Sequence, residues 1–153
     1  MESTIDRFFE ARAFAVIGVS ANRRKFGNNI YRVMREREMT VFPVHPTLST
    51  VEGDACFPGV AQLPGEVEAV VTAVPPSQTE RVVRECAARK IKTIWMQPGS
   101  ESPAALQFAR DAGIAVVHGE CVHMYLEPVG GVHRVHRFVK KVTGSYTRRT
   151  PAA

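Results

Sequence analysis

The sequence has no long apolar run and no recognisable export signal. None of its apolar stretches approaches the roughly 18 residues that a membrane-spanning helix needs. The first residues, MESTIDRFFEARAF, lack the cationic start and apolar stretch of a secretory signal. These absences predict a cytoplasmic protein that has no membrane partner.

Cysteine is scarce as well. The three cysteines, Cys56, Cys86 and Cys121, are an odd number at wide spacings, and no CxxC pair occurs. This usage is typical of reduced thiols in a reducing compartment rather than of a disulfide framework.

Acidic residues are missing from one part of the chain only. Residues 1–131 hold 14 Lys and Arg against 15 Asp and Glu, whereas residues 132–153 hold six cations and no acid. The net charge of +5 therefore belongs to the C-terminal region and does not indicate nucleic-acid binding by the body of the protein. We expect one domain over residues 1–143, followed by a flexible basic tail over residues 144–153.

Near-continuous apolar runs alternate with helical patterns along the body. Strands that are buried on both faces read this way, which favours a parallel sheet covered by helices. The pattern predicts an α/β, Rossmann-like fold, in which a five-stranded, mostly parallel sheet has helices on both faces. The predicted strands are 14–19, 40–44, 68–74, 92–97 and 114–119.

The predicted helices are 4–11, 28–38, 77–89, 102–112 and 130–143. Ser77 and Glu80 have the spacing of a capping box at the third helix. Ser102 suits the N-cap of the fourth, with Pro103 in its first turn and Gly113 just beyond its end. The Pro- and Gly-rich segment 45–67 predicts a loop with one short helical turn.

The strongest candidate site is the turn in FAVIGVSANRRKFGNN, residues 14–29. A helix that begins after such a turn presents backbone N–H groups that favour an anion. Gly18 permits a tight turn, Ser20 offers a hydroxyl, and Gly27 lets a backbone approach a ligand. Positive charge comes from Arg23, Arg24 and Lys25. A structural turn with solvated cations is the alternative interpretation.

This turn matches neither familiar nucleotide motif. Positions 20 and 23 lack the glycines of the dinucleotide fingerprint, and no GxxxxGK[ST] sequence is present. A dinucleotide with an unphosphorylated ribose also wants an acid at the end of the second strand, where FPVHPTLS offers none before Glu52. A ligand with more phosphate than NAD, such as CoA or NADP, fits better.

Several stretches together resemble the small stand-alone CoA-binding proteins with a Rossmann-like domain, related to the CoA-binding domain of the succinyl-CoA synthetase α subunit. The resemblance covers roughly residues 10–140. It is carried by VIGVSANRRKFGNNIYR (16–32), VFPVHP (41–46), VTAVPPSQT (71–79), TIWMQPG (93–99), ARDAGIAVV (109–117) and GECVHMYLEP (119–128). His45 departs from the Asn that related sequences usually show in PVNP.

The resemblance implies a ligand, CoA or acyl-CoA, and a set of contacts. Gly18, Ser20 and residues 25–28 (Lys25, Gly27 and Asn28 among them) would hold the diphosphate, and the basic residues, Arg23 and Arg24 included, would be available to the 3′-phosphate. The remaining contacts would be Val44 and Pro46 at the adenine or ribose, Val74, Pro75 and Pro76 as an apolar lip, and Gln97 and Gly99 at the inner end. No sequence here corresponds to the ligase domain of the synthetase, so we expect a binding module without established catalysis.

Other assignments stay open. Cys121 follows the last predicted strand, and a mixed disulfide with the CoA thiol is one interpretation beside that of a structural thiol. His118, Cys121 and His123 include good zinc ligands, but no fourth ligand is evident and we expect no metal.

The competing functions are an NADP-dependent oxidoreductase and a nucleic-acid or protein interaction domain that uses the basic C-terminal helix. The apolar stripe of that helix, Val132, Val135, Val139 and Val142, predicts docking on the sheet or a homodimer contact.

Overall fold

A computed structural model describes residues 2–126 of the chain. The predicted helix over 130–143 and the predicted tail over 144–153 lie outside the described residues, and so does the apolar stripe of that helix. Among the helices within residues 2–126, none combines the length and the apolar character needed to cross a bilayer.

A parallel sheet of five strands forms the centre of the described region. In their order across the sheet, the strands are β2 Val41–Val44, β1 Ala13–Ile17, β5 Val67–Thr72, β6 Thr93–Met96 and β7 Ala115–Val117, and β3 Thr50–Val51 and β4 Asp54–Ala55 form a separate hairpin. The strands of the sheet lie where the apolar runs predict them. Four of them, β1, β2, β5 and β6, are almost entirely buried and need apolar residues on both faces, whereas β7 is half-buried at Ala115 and Val116.

Helices cover both faces of this sheet. The helices are α1 Thr4–Phe9, α2 Phe26–Glu36, α3 Pro76–Ala88 and α4 Pro103–Asp111. Helices α1 and α2 pack with Phe14 and Val16 of β1 in one core, and α3 and α4 pack with Ala15 and Ile17 in the other. Successive side chains of β1 therefore point to opposite faces of the sheet and pack in two different cores. The predicted Rossmann-like α/β fold is confirmed.

The N-termini of α3 and α4 test the two helix caps that the sequence predicts. The Ser102 side chain accepts a hydrogen bond from the Ala105 amide at 3.1 Å, so the predicted cap of α4 is confirmed. The predicted capping box at Ser77 is wrong, since α3 begins at Pro76 and its N-cap residue, Pro75, makes no side-chain cap. Proline suits the first helical turn because that turn leaves its N–H groups without intrahelical partners, and this preference places the start of α3 ahead of Ser77.

The segment 45–67 contains more structure than predicted. A short antiparallel hairpin joins β3 Thr50–Val51 to β4 Asp54–Ala55, and a 3-10 turn follows at Val60–Gln62. Glu52 and Gly53 make the tight turn with φ of 52° and 82°. Two central residues with positive φ are what a tight hairpin of this twist requires, but Glu before Gly is a weaker signal than Asn or Asp.

Candidate functional site

The carboxyl ends of β1 and β5 mark the point where the chain diverges to opposite faces. These strands are neighbours in the sheet, with Ile17 paired to Thr72. Helix α2 leaves β1 toward one core, whereas α3 leaves β5 toward the other. Open α/β sheets form a ligand crevice at such a switch point.

A cleft of about 380 Å³ lies at this point, and we call it the strand-tip cleft. Its volume falls within the range of about 300 to 1,000 Å³ that is usual for small-molecule sites. The residues that line it come from the loops after β1, β2 and β5, from the segment before the 3-10 turn, and from α3. They are Ile17, Gly18, Val19, Ser20, Lys25, Val44, His45, Pro46, Pro58, Gly59, Ala73, Val74, Pro75, Gln78, Arg81, Val82 and Glu85.

Gly18 and Gly27 bring three backbone segments together beside the cleft. Gly18 has φ of +121°, and a Cβ atom there would lie 2.3 Å from the carbonyl oxygen of Ala73. A Cβ atom on Gly27 would lie 2.3 Å from the carbonyl oxygen of Gly18. Gly27 therefore permits close packing of α2 on the loop after β1, a role that the sequence pattern does not distinguish from approach to a ligand.

Asn28 holds this loop against α2. Its side chain is fully buried, accepts a hydrogen bond from the Ser20 amide at 2.8 Å and donates one to the Ser20 carbonyl at 2.7 Å. The side chain also donates to Glu52 at 3.2 Å. Asn28 thus acts on the shape of the predicted phosphate turn and is not among the residues that line the cleft.

The three cations predicted to bind phosphate, Arg23, Arg24 and Lys25, have different surroundings. Arg23 forms an ion pair with Glu52 at 3.0 Å, and Arg32 reaches the same carboxylate at 2.8 Å. Lys25 lines the cleft at the N-cap of α2, where no side chain caps the first helical turn. Arg24 does not line the cleft. Of the three, Lys25 alone is placed to contact a ligand there.

The Glu52 carboxyl, 2% exposed, is the centre of this network. Its burial opposes ionisation, but hydrogen bonds from Asn28, Arg23 and Arg32 outweigh that cost, and the pKa of Glu52 lies below its ordinary value. Glu52 therefore holds the β3–β4 hairpin to the loop after β1. An acid engaged in this way is not placed to bind a ribose.

A second hollow of about 570 Å³ lies on the hairpin side of the same loop, lined by Ser20, Ala21, Arg23, Asn28, Arg35, Thr50, Val51, Glu52 and Gly53. Although it is larger, its charged side chains already pair with acids. Arg23 pairs with Glu52 and Arg35 with Asp54. We favour the strand-tip cleft as the ligand site because it lies at the switch point and combines apolar walls with Lys25.

The structure brings together most of the predicted apolar contacts. Val44, the last residue of β2, and Pro46, both predicted at the adenine or ribose, line one side of the cleft, and Val74 and Pro75 of the predicted apolar lip line the other side, after β5. Pro76, the first residue of α3, is not among the lining residues.

Gln97, Gly99 and Cys121 are not brought into the cleft. The Gln97 side chain is buried, accepts a hydrogen bond from the Val122 amide at 2.9 Å and donates to Cys121 Sγ at 3.5 Å. Gly99 has φ of +89° in the turn after β6. Gln97, which directly follows β6, thereby holds the 3-10 turn Val122–Met124 at the end of that strand.

One wall of the cleft was not predicted. Gln78, Arg81, Val82 and Glu85 recur at the spacing of one helix face and line the cleft from α3. Arg81 and Glu85 form an ion pair at 3.6 Å. The sequence shows that these four residues share one face of a helix. Which face of α3 is turned toward the loop after β1 depends on how the helix packs.

His45 also lines the cleft. Its Nδ1 atom accepts hydrogen bonds from the amides of Thr47 and Leu48, both at 3.1 Å. An Asn at this position would use its carbonyl oxygen for the same turn. Replacement of the usual Asn by His45 therefore preserves the acceptor for these two backbone amides.

The potential metal ligands of the described region do not form a cluster, and its cysteines are free thiols. Residues 2–126 contain no group of three or more His, Cys, Asp or Glu that could hold a metal ion. None of the three cysteines, all within that range, forms a disulfide. Burial raises the pKa of Cys86 to about 12 and also raises the pKa of Cys56, which disfavours both thiolates.

The parallel sheet, its covering helices and the crevice at the switch point define a Rossmann-like α/β domain. The family model of the CoA binding domain matches residues 12–127. The chain therefore belongs to the CoA binding domain family, as the resemblance implied. The matched range contains every residue that lines the strand-tip cleft.

The relatives include much larger proteins. The chain is 31% identical over 88 residues to the ADP-forming acetate–CoA ligase I of Archaeoglobus fulgidus, which covers 58% of this chain and 13% of the ligase. It is 25% identical over 129 residues to the α subunit of the ADP-forming acetate–CoA ligase II of Pyrococcus furiosus, covering 77% of this chain and 28% of the subunit. The chain thus spans less than a third of the length of these curated relatives.

A solved structure that this chain covers almost completely has the same fold. It is a conserved hypothetical protein from Pyrococcus furiosus, 34% identical, with a TM-score of 0.69 over 72% of this chain and 96% of that chain.

Proposed function

We propose that this chain binds coenzyme A in the strand-tip cleft. The observation that carries the proposal is that the family match, residues 12–127, includes the whole of a cleft at the switch point of the sheet. The similarity to acetate–CoA ligases supports the same ligand class.

The chemistry of the cleft fits a phosphorylated adenosine carrier. Lys25, the N-cap residue of α2, lines the cleft and adds a positive charge, and the first turn of α2 that begins there has no side-chain cap and favours an anion. The Ser20 amide is already bonded to Asn28, so Ser20 would contribute its hydroxyl. A well-made charge-assisted hydrogen bond to phosphate contributes about 1.5 to 3 kcal/mol. The diphosphate would therefore bind at the loop after β1.

Apolar groups surround the phosphate end. Val44 and Pro46 flank one side and Val74 and Pro75 the other, which suits an adenine ring or the start of the pantetheine arm. In this proposal Arg81 provides a second cation on the α3 wall.

The proposal concerns recognition of CoA or acyl-CoA, not catalysis. The activity of the acetate–CoA ligases is not transferred, because the chain spans only a part of their length. A cytoplasmic location and a homodimer through the predicted C-terminal helix stay predictions, the latter outside the described residues.

Isothermal titration of the full chain tests the proposal with three ligands: CoA, dephospho-CoA and NADPH. We expect CoA to bind with a dissociation constant in the micromolar range, about −8 kcal/mol, and to raise the melting temperature. Binding of NADPH without binding of CoA would replace the proposal with the oxidoreductase alternative. Native mass spectrometry of the purified chain provides a second readout, because a retained ligand identifies itself by mass.

A further inference from the structure

The imidazole of His45 has a defined hydrogen-bonding state. Its Nδ1 atom accepts from the Thr47 and Leu48 amides, each at 3.1 Å. A ring nitrogen that accepts hydrogen bonds from backbone N–H groups carries no hydrogen of its own, so the hydrogen of the ring is on Nε2.

This arrangement leaves one polar atom of the ring for a ligand. His45 is half-buried and lines the strand-tip cleft between Val44 and Pro46. Within residues 2–126, Thr47 and Leu48 are the only residues that form hydrogen bonds with its ring. All of these contacts, including one of 3.4 Å with the Thr47 hydroxyl, are to Nδ1. Any hydrogen bond from this side chain into the cleft is therefore donated by Nε2.

The position of His45 indicates which part of a ligand it meets. It directly follows β2, the strand beside β1, and therefore lies next to the phosphate turn. In dinucleotide-binding folds an acid near this point accepts a hydrogen bond from a ribose hydroxyl. An N–H donor reverses that polarity. It can bond to a hydroxyl oxygen, but a charged phosphate oxygen is the stronger acceptor, so the donor favours a phosphorylated ribose.

We propose that His45 determines specificity for a phosphorylated ribose by donating its Nε2 hydrogen to an oxygen of the ribose phosphate. The inference rests on the proposed function and names the 3′-phosphate of CoA as the acceptor. Dephospho-CoA lacks this phosphate and provides the matched ligand.

The variant that isolates the donor is His45→Asn. An Asn carbonyl oxygen accepts hydrogen bonds from the same two backbone amides, but the shorter side chain has no donor at the position of Nε2. We expect the affinity for CoA to fall about tenfold, and the affinity for dephospho-CoA to stay within about twofold. Equal weakening for both ligands, or no weakening for either, would overturn the proposal.

Nitrogen-15 NMR of the unmodified chain gives an independent readout that needs no variant. We expect the free protein to show an unprotonated Nδ1 and a protonated Nε2, and we expect CoA, but not dephospho-CoA, to shift the Nε2 resonance. A protonated Nδ1 at neutral pH, or the same shift with both ligands, would contradict the role of His45. If the unmodified chain binds neither ligand, the proposed function itself fails, whereas the tautomer is still measured.

Discussion

A Cβ atom on Gly27 would lie 2.3 Å from the carbonyl oxygen of Gly18, so the first turn of α2 rests directly on the loop that leaves β1. Backbone cannot yield as the end of a flexible side chain can. The separation between the two segments, and with it the shape of the proposed phosphate turn, depends on the absence of a side chain at Gly27.

Replacing Gly27 with alanine tests this contact. The φ of Gly27 does not require glycine, so the penalty of Gly27→Ala comes from the clash with Gly18. We expect the free energy of unfolding to fall by about 1 to 3 kcal/mol, measured by urea denaturation, and CoA affinity to fall with it. Gly65→Ala is the control, since a Cβ at Gly65 meets nothing within 4 Å. Similar stability for the two variants would show that the loop moves without cost.

Asn28 gives a second test of the loop. Asn28→Asp preserves shape, removes the donor to the Ser20 carbonyl and places a carboxylate beside Glu52. We expect a loss of at least about 2 kcal/mol in stability by the same measurement. Asn29→Asp adds the same charge on the same helix at a half-buried position and is expected to cost much less. An equal loss in both variants would point to the helix rather than to the Asn28 contacts.

The Glu52 network predicts a pH dependence of stability. Because the folded-state pKa of Glu52 is lowered, its contribution is present above the unfolded-state pKa, about 4.3, and is lost as the pH falls through the folded-state value. Asp54, hydrogen-bonded to Tyr31 and paired with Arg35, has a lowered pKa and acts in the same direction.

Urea denaturation at neutral pH and at several values below about 4.3 measures this dependence. We expect Glu52→Gln to reduce stability at neutral pH and to make the acid loss shallower than in the unmodified chain. Glu66→Gln, at an exposed position, is the control and is expected to leave the pH profile unchanged. An unchanged profile for Glu52→Gln would show that the ion pairs of Glu52 do not contribute to folding.

The cations of the strand-tip cleft predict which charges matter for CoA. We expect Lys25→Gln and Arg81→Gln each to weaken CoA about three- to tenfold in isothermal titration, since both line the cleft. The matched controls are Arg24→Gln, beside Lys25, and Arg84→Gln on α3.

Arg84 is a close match for Arg81, because it also pairs with an acid four residues away on the same helix, Glu80, at 2.7 Å. Its guanidinium lies over the Phe108 ring, 4.2 Å from the ring centroid, and not in the cleft. Equal weakening by Arg81→Gln and Arg84→Gln would indicate a general effect of charge instead of a contact.

The strands and several helix ends were predictable because their signals are local. A strand buried on both faces is mostly apolar: β1 is apolar throughout, and β5 and β6 are apolar except at Glu68, Thr72 and Thr93. Ser102 caps α4 through an amide only three residues away. The switch-point location of the cleft then followed from the order of strands and helices.

The partners of the charged and polar side chains were decided by the tertiary structure. Glu52 lies 29 residues from Arg23 in the chain, and the hairpin that brings them together has a weak turn signal. The resemblance implied that Gln97 belongs to the site. In the structure its side chain accepts a hydrogen bond from the Val122 amide, and Gln97 does not line the cleft. Apolar periodicity determines which face of an element is buried, but the pairing of distant polar groups depends on how the packed elements approach one another.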